Sequence, residues 1–329
     1  MSEKSKDKII TVFIPTFNGE RYIKECIDSI LVQKLPDDYS LEILVIDSGS
    51  TDKTLNILES YNNKINLKKI PNNEFGHGAT RQLAAEISQG EFIVYLTQDA
   101  TPSNDTWLIN MIEPFFITDL VGCVFGRQIP RKNAAPTIKR EVLHVFQGLG
   151  SPDTISLHRD KSLVDQHKVN KINSFFSDVN SAVRRSLLIG KIPFRNVNYA
   201  EDHALAQDMI KHGFIKAYTP SGSVWHSNEY TPKEYFHRKF DEYIGLQESV
   251  GSKNLPSLKS LLLGWIKPTM TDWRFIIKDR QYALKSKVVW FIEAPLYNIA
   301  DRAGRYSALR FYKNSSVRDK LSLEKKSRK

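Results

Sequence analysis

The sequence predicts an α/β fold: a mostly parallel sheet with helices on both faces, followed by a helical, basic C-terminal extension. Three observations carry this. Short apolar, β-branched runs alternate with stretches of 3.6-residue periodicity. Each apolar run closes on a polar cluster: PTFN, DSGSTD or TQDA. The surplus of basic residues is confined to the last quarter of the chain.

IITVFI (9–14) reads as a buried strand, and PTFNG as the turn after it. In ERYIKECIDSILVQ, residues Tyr22, Ile23, Cys26, Ile27, Ile30 and Leu31 share one helical face. LEILVID (41–47) is a second strand, ending in the N-capping run SGSTD before the helical TLNILESY. INLKKI (65–70) is a third strand, GHGATRQLAAEIS (76–88) a glycine-rich turn entering a helix, and EFIVYLTQDA (91–100) a fourth strand. Alternation of this kind gives a parallel sheet covered on both faces, with ligands beyond the carboxyl ends of its strands. From about 130 to 235 the pattern is less regular. FFSDVNSAVRRSLL (175–188) reads as a strand entering a helix, AEDHALAQDMIKHG (200–213) as a helix with an acidic start and a glycine stop, and SVWHS (223–227) as a strand end. Beyond Tyr230 the pattern is helical, and the terminal VRDKLSLEKKSRK is expected to fray.

Composition narrows the function. The 329 residues, 41% hydrophobic, can bury one large core or two smaller ones. Two cysteines, Cys26 and Cys123, exclude a four-cysteine zinc site and a CxxC redox pair, and suit a reducing compartment. The first residues, MSEKSKDKIITVFIP, show no leader-like apolar stretch, and no window approaches the roughly 18 apolar residues of a spanning helix. Residues 251–329 hold 18 Lys and Arg against 6 Asp and Glu, whereas residues 1–250 are slightly acidic. A non-catalytic nucleic-acid-binding protein using the basic tail is the alternative of another class; against it, residues 1–250 are slightly acidic and no basic stripe with interleaved aromatics lies on the sheet. GHGATR carries Arg81 where GxGxxG needs its last glycine, and GxxxxGK[ST], HExxH and GxSxG are absent.

Several residues carry two readings. Asp47, at a strand mouth, can accept from a base imide N–H or a ribose hydroxyl, or can shape a turn; Asp52 reads as a turn or cap residue. Asp99 occupies the corresponding place after the fourth strand and can hold a divalent cation against a diphosphate, or begin a loop. Arg81, near a helix start, can bind phosphate or lie on a solvated face, and His77 reads as loop. Glu201 and Asp202 suit a helix N-terminus, and a carboxylate there can also serve as a general base. His226, taken alone, reads as a packed strand-end histidine.

Taken together, VFIPTFNGERYIKECIDSILVQ, LEILVIDSGSTDKT, EFIVYLTQDA, NYAEDHALAQDMIKHG and VWHS resemble, in order and spacing over residues 9–240, the inverting nucleotide-sugar glycosyltransferases of family 2, whose fold is GT-A. FGHGATRQLA and LTQDA further resemble the bacterial rhamnosyltransferase branch, which uses dTDP-L-rhamnose. The resemblance implies that Pro15, Thr16 and Asn18 line the nucleotide pocket and Asp47 holds the pyrimidine. It implies that Arg81 contacts base or diphosphate, and that Asp99 is the last acid of the DxD metal motif. Asp202 matches the catalytic base of the ED motif with Glu201 beside it in the substrate site, and His226 completes the metal or diphosphate site. The implied cofactor is Mg²⁺ or Mn²⁺. Thr97 stands where the family carries the first DxD acid, which leaves Gln98 to meet ribose or sugar.

The expected organisation is a nucleotide-sugar-binding half (1–130), an acceptor-binding half (131–245) and a basic helical tail (246–329). The implied partners are a dTDP-L-rhamnose donor and a lipid-linked or oligosaccharide acceptor, with a UDP-sugar donor (galactofuranose or N-acetylhexosamine) as the alternative. Trp265, Trp273, Trp290, Phe291 and Tyr297 among the tail's basic residues suggest helices lying on an anionic membrane, or a helical pair packed on the domain or a second subunit. The expected location is cytoplasmic, at the inner face of the cell membrane, with no nucleic-acid partner and with a homo-oligomer possible.

Overall fold

Residues 8–159, 175–197, 200–250 and 255–323 are described in a computed structural model. The first apolar run becomes β1 (Lys8–Thr16), central in a sheet with β2 (Tyr39–Asp47), β3 (Asn66–Lys69), β4 (Phe92–Leu96), β5 (Thr101–Pro102), β6 (Val121–Ile129), β7 (Ser156–His158), β8 (Asn180–Arg184) and β9 (Ile215–Trp225). The strand order is β3-β2-β1-β4-β8-β6-β9-β5, with β7 also paired to β9. β1, β2, β3 and β4 are mutually parallel, and β6 and β9 run the same way. β8, β5 and β7 are reversed. The expected mostly parallel α/β sheet is therefore present, with one reversed strand in its middle.

Alternation along β1 divides the core. Ile10, Val12 and Ile14 bury one face together with Ile23, Cys26, Ile27 and Ile30 of α1 (Ile23–Leu31), Leu58 of α2 (Thr54–Glu59) and Trp107, Leu108 and Met111 of α4 (Trp107–Ile112). Phe13, on the opposite face, meets Tyr95 edge-on at 5.7 Å, and the Tyr95 hydroxyl donates to the Arg81 carbonyl of α3 (His77–Ile87). Period-2 strands thus feed two helical layers, as the sequence pattern requires.

The short strand expected around Trp225 proves to be the end of the eleven-residue β9. Its pairing with β6 slips between Gly126 and Gln128. Gly126 is required there, since a Cβ would lie 1.9 Å from the Gly222 carbonyl. Such irregularities re-aim side chains, and this one sets Gln128 beside His226.

The remaining helices are α5 (Pro136–Gln147), α6 (Arg185–Leu188), α7 (Glu201–Lys211), α8 (Pro232–Val250), α9 (Leu258–Leu263), α10 (Ile266–Lys278), α11 (Leu284–Arg310) and α12 (Ser315–Leu321). Part of the terminal segment expected to fray is helical: the Asn314 side chain caps α12 by accepting from Val317 N–H. Residues 324–329 lie outside the described residues.

Two compact units result. One comprises the chain up to Ile129 with Val145–His226; the other, Pro130–His144 with the residues from Ser227 onward. Boundaries at 130 and 245 divide the chain differently, and the reason lies in the second unit's interior. There the buried Asp272 accepts from Thr137 Oγ1, Arg140 Nε and Asn298 Nδ2 at 2.6–2.7 Å, tying α5 to α10 and α11. Lys139 pairs with Asp279 at 2.6 Å, and Ile138 packs with Tyr235, Tyr297 and Trp290. Buried partners of this kind hold residues 130–144 with the C-terminal helices. Among the described residues, no helix is long and apolar enough to cross a membrane.

Candidate active site

Sheet order places the polar strand ends in one row. Asp47 ends β2 opposite Thr16 of β1. Thr97–Asp99 follow β4, and Asp178 precedes the reversed β8. Three inter-strand steps separate β2 from β8, about 14 Å. Gln128 and His226 stand at the same edge, at the ends of β6 and β9.

At the β2–β1 end, Asp47 is buried at 1% exposure. Its Oδ1 accepts from the N–H groups of Gly49 and Ser50 at 3.0 Å, and its Oδ2 from the Ser50 hydroxyl. Asp47 shapes the turn that follows it, so its reading as a direct pyrimidine contact meets a carboxylate engaged within its own loop. Asn18, with φ 46°, donates from its N–H to Ser50 Oγ and accepts from Thr51 N–H, both at 2.8 Å. Pro15 is half-buried, Thr16 buried and Asn18 exposed, at the turn that follows β1. Gln98 clasps Phe17: Oε1 accepts from Phe17 N–H and Nε2 donates to its carbonyl, both at 3.0 Å. Its amide is thereby occupied in joining the β1 and β4 ends.

The chain after β4 crosses to β5, whose Thr101 pairs with Trp225. That crossing carries Asp99 to His226, with Oδ2 and Nε2 3.5 Å apart. Gln128 Nε2 donates to Ser177 Oγ, and Gln128 Oε1 faces His226 Nδ1 at 3.0 Å. Nδ1 therefore carries the proton in the neutral ring, and the Nε2 lone pair faces Asp99. Burial alone would raise the Asp99 carboxyl; the positive charge of a protonated His226 ring, with Nε2–H then donating to it, outweighs that and holds it at about 2. A carboxylate oxygen and an imidazole nitrogen converging in this way fit a divalent cation whose remaining positions are filled by phosphate and water. Among the described residues, no group of three such ligands occurs.

The third group was only partly visible in the sequence. Arg81 is buried, its Nε 2.8 Å from Asp178 Oδ2 and its Nη1 3.0 Å from Glu201 Oε1. The guanidinium expected to meet base or diphosphate is turned onto carboxylates instead, because α3 enters beneath the start of α7. Asp178 also accepts from Ser181 Oγ at 2.7 Å, and its N–H faces Asp202 Oδ2 at 3.4 Å. Asp202 Oδ1 accepts from His203 N–H at 2.7 Å. One guanidinium pairs with two of the three carboxylates, leaving an excess of negative charge in a desolvated place. Burial first, then the charge of Glu201 on both and of Asp202 on Asp178, push the Asp202 and Asp178 carboxyls well above the usual range against the pull of Arg81. Arg81, Asp178 and Glu201 are closed from solvent, whereas Asp202 is half-buried. A raised pKa on a half-buried carboxylate is the property of a general base. His77 stands 4.0 Å from Glu201 at the margin.

Sequence reasoning missed Asp178, Gln128 and Ser177. SDVN preceded a recognised strand, but nothing in its spacing announced that the reversed strand would carry Asp178 to Arg81. Strain marks the same place: Ala200, directly before α7, is left-handed at φ 62°, ψ 31°. Replacing it by glycine is expected to stabilise the fold by about 0.5–1 kcal/mol in denaturant unfolding; a loss would show that the conformation carries no strain.

Comparison with known proteins gives the family and the fold. The glycosyl transferase family 2 model matches residues 11–190. The O-antigen chain rhamnosyltransferase RfbN of Salmonella typhimurium is 31% identical over 303 residues, covering 90% of this chain and 88% of that protein. WbaN of Salmonella anatum, also an O-antigen chain rhamnosyltransferase, is 31% identical over 303 residues, covering 89% and 87%. In fold, the chain is similar to the mannosyltransferase PcManGT of Pyrobaculum calidifontis, solved with GDP-Man and Mn²⁺ (TM-score 0.54, 17% identity, 95% and 88% covered). It is also similar to the glucosyl-3-phosphoglycerate synthase of Mycobacterium tuberculosis, solved with Mn²⁺, UDP and phosphoglyceric acid (TM-score 0.53, 17% identity, 75% and 80% covered). The expected GT-A fold is present, and with a family model spanning more than half its length and two relatives matched almost end to end, the chain belongs to glycosyl transferase family 2 and is a glycosyltransferase.

Proposed function

We propose that this glycosyltransferase moves L-rhamnose from dTDP-β-L-rhamnose to a hydroxyl of a lipid-linked cell-surface polysaccharide precursor, with inversion, on the cytoplasmic side of a membrane. One observation carries the mechanism: in the Arg81–Asp178–Glu201–Asp202 cluster, Asp202 is half-buried while the other three are buried. The two full-length relatives, named as O-antigen chain rhamnosyltransferases, support the choice of sugar.

In this reading the nucleotide lies over the β1 and β2 ends, against Pro15, Thr16 and Asn18 and the turn that Asp47 shapes. The acceptor hydroxyl approaches the sugar from the Asp202 side. Asp202 takes the hydroxyl proton as the new C1–O bond forms, while the bond from C1 to the diphosphate oxygen breaks and dTDP leaves with its electrons. Asp99 and His226 would hold Mg²⁺ or Mn²⁺, which when bound supplies positive charge against the departing diphosphate. Gln128 keeps the His226 ring presenting Nε2. Arg81 orders the carboxylates and keeps Glu201 and Asp178 from expelling the charge on Asp202.

Ligand-dependent unfolding of the purified chain tests the donor. With Mg²⁺ or Mn²⁺ present, dTDP at about a hundred times its dissociation constant should stabilise the fold by about 2.7 kcal/mol, while UDP at the same concentration stabilises it less. Equal or greater stabilisation by UDP, together with transfer from a UDP-sugar, would move the assignment to the alternative donor.

A further inference from the structure

We propose that the outward face of α9, α10 and α11 docks onto an anionic lipid bilayer, lying on it without crossing. The acceptor in the reading above gives this surface its purpose; its evidence is separate. Exposed large apolar side chains are unevenly spread. Among the described residues there are 23, and 14 of them fall between Leu255 and Ile299. Five form a regular stripe on α11: Leu284, Val288, Ile292, Leu296 and Ile299, from 80% to 41% exposed. Steps of four, four, four and three residues keep them on one side of the helix, over about 22 Å.

The opposite side of α11 is already in use. Ala294, Tyr297, Asn298 and Ala300 are buried, and Tyr297 packs with Trp290 and Tyr235. The helix is therefore apolar on both sides, whereas a helix that met only water on its outer side would be polar there. The tail's aromatics divide accordingly: Trp290 and Tyr297 anchor the helix inward. Phe291 stacks on Trp273 of α10 at 5.6 Å, and Lys287 Nζ donates to the Ile277 carbonyl, bringing the exposed Ile277 to the start of the stripe.

Charge selects the occupant. Lys259, Lys267, Lys278 and Lys285 are exposed on the same three helices and their links. Of the acidic residues there, Asp272 is tied inward to Arg140 and Asp279 to Lys139, Asp301 lies beside Arg302, and Glu293 is half-buried on α11. Exposed lysines on the same helices as an apolar stripe repel a second copy of this surface and attract acidic headgroups, while the stripe enters the acyl boundary. Helices too short or too polar to span leave lying on the surface as the available mode.

Flotation of the full chain with vesicles tests the proposal. Phosphatidylcholine vesicles containing phosphatidylglycerol should carry the protein up at low salt, less at high salt, and phosphatidylcholine alone should carry little. Val288→Glu with Ile292→Glu, and separately Lys267→Glu with Lys285→Glu, should each weaken partitioning at least about tenfold, with far-UV circular dichroism and melting unchanged. Three results would overturn it: no flotation with the anionic vesicles, flotation that either double variant leaves intact, or a dimer in sedimentation that Ile292→Glu converts to monomer, which would assign the stripe to a second copy. Stabilisation by dTDP needs no vesicle, so the donor assignment and this surface fail independently.

Discussion

Asp202→Asn is expected to lower turnover at least ~10²-fold, the scale on which a general base contributes, with donor-dependent thermal stabilisation unchanged. The substitution suits this question because it separates the two readings of an acid at a helix start. Asparagine is as good a cap as aspartate, and its side-chain oxygen can still accept from His203 N–H, the contact that Asp202 Oδ1 makes at 2.7 Å. A purely capping residue would therefore lose almost nothing in stability or rate. A base would lose the proton acceptor while the cluster keeps its shape. The pH profile adds a second signature. Burial and the neighbouring carboxylates lift Asp202 above the ordinary range, and a base must be ionised to act. The acid limb of the rate should accordingly lie at higher pH than an isolated aspartate gives, and should vanish in the variant.

Arg81→Met is expected to cost about 3–5 kcal/mol of folding stability at neutral pH, the range for removing one partner of a buried ion pair. Arg81 is the guanidinium within reach of Asp178 and Glu201, at 2.8 and 3.0 Å, and all three side chains are closed from water. The sign of the pH dependence follows from the direction of the shifts. Asp178 and Asp202 have folded pKa values raised above the unfolded carboxylate value of about 4. Between that value and the folded ones, the folded chain binds more protons than the unfolded chain, so stability falls as pH rises through the window. Removing Arg81 lifts the folded values further. The variant's deficit should thus be smallest in acid, where the carboxyls are protonated, and should grow with pH. Urea unfolding of both proteins at several pH values measures it; a deficit of constant size would mean that Arg81 acts by packing alone.

Much of the site was legible because it lies where short-range rules apply. The β1, β2 and β4 runs were visible from composition, and a parallel sheet collects ligands at its carboxyl edge, so the placement of Asp47 and Asp99 at that edge could be read from position alone. Asp202 was visible as one of two acids at a helix start. What escaped depends on distant pairing. Asp178 matters because β8 runs against its neighbours and delivers its start, not its end, to that edge. Gln128 matters because the β6–β9 register slips just before it. Arg81 was expected to face an open site, since nothing local in GHGATRQLA shows that α7 arrives above it with carboxylates. The unit boundary escaped for the same reason: Thr137 and Arg140 belong with Asp272, more than 130 residues away in the chain.

The anomeric configuration of the product tests the central claim most directly, because it reports on which side of the sugar the base stands. Purified enzyme, dTDP-β-L-rhamnose and an acceptor oligosaccharide should give, by NMR, an α-L-rhamnoside: one displacement, with Asp202 opposite the departing diphosphate. A β-L-rhamnoside, with configuration retained, would contradict the account, since retention needs two displacements or attack from the leaving-group side, and neither gives Asp202 the part assigned to it.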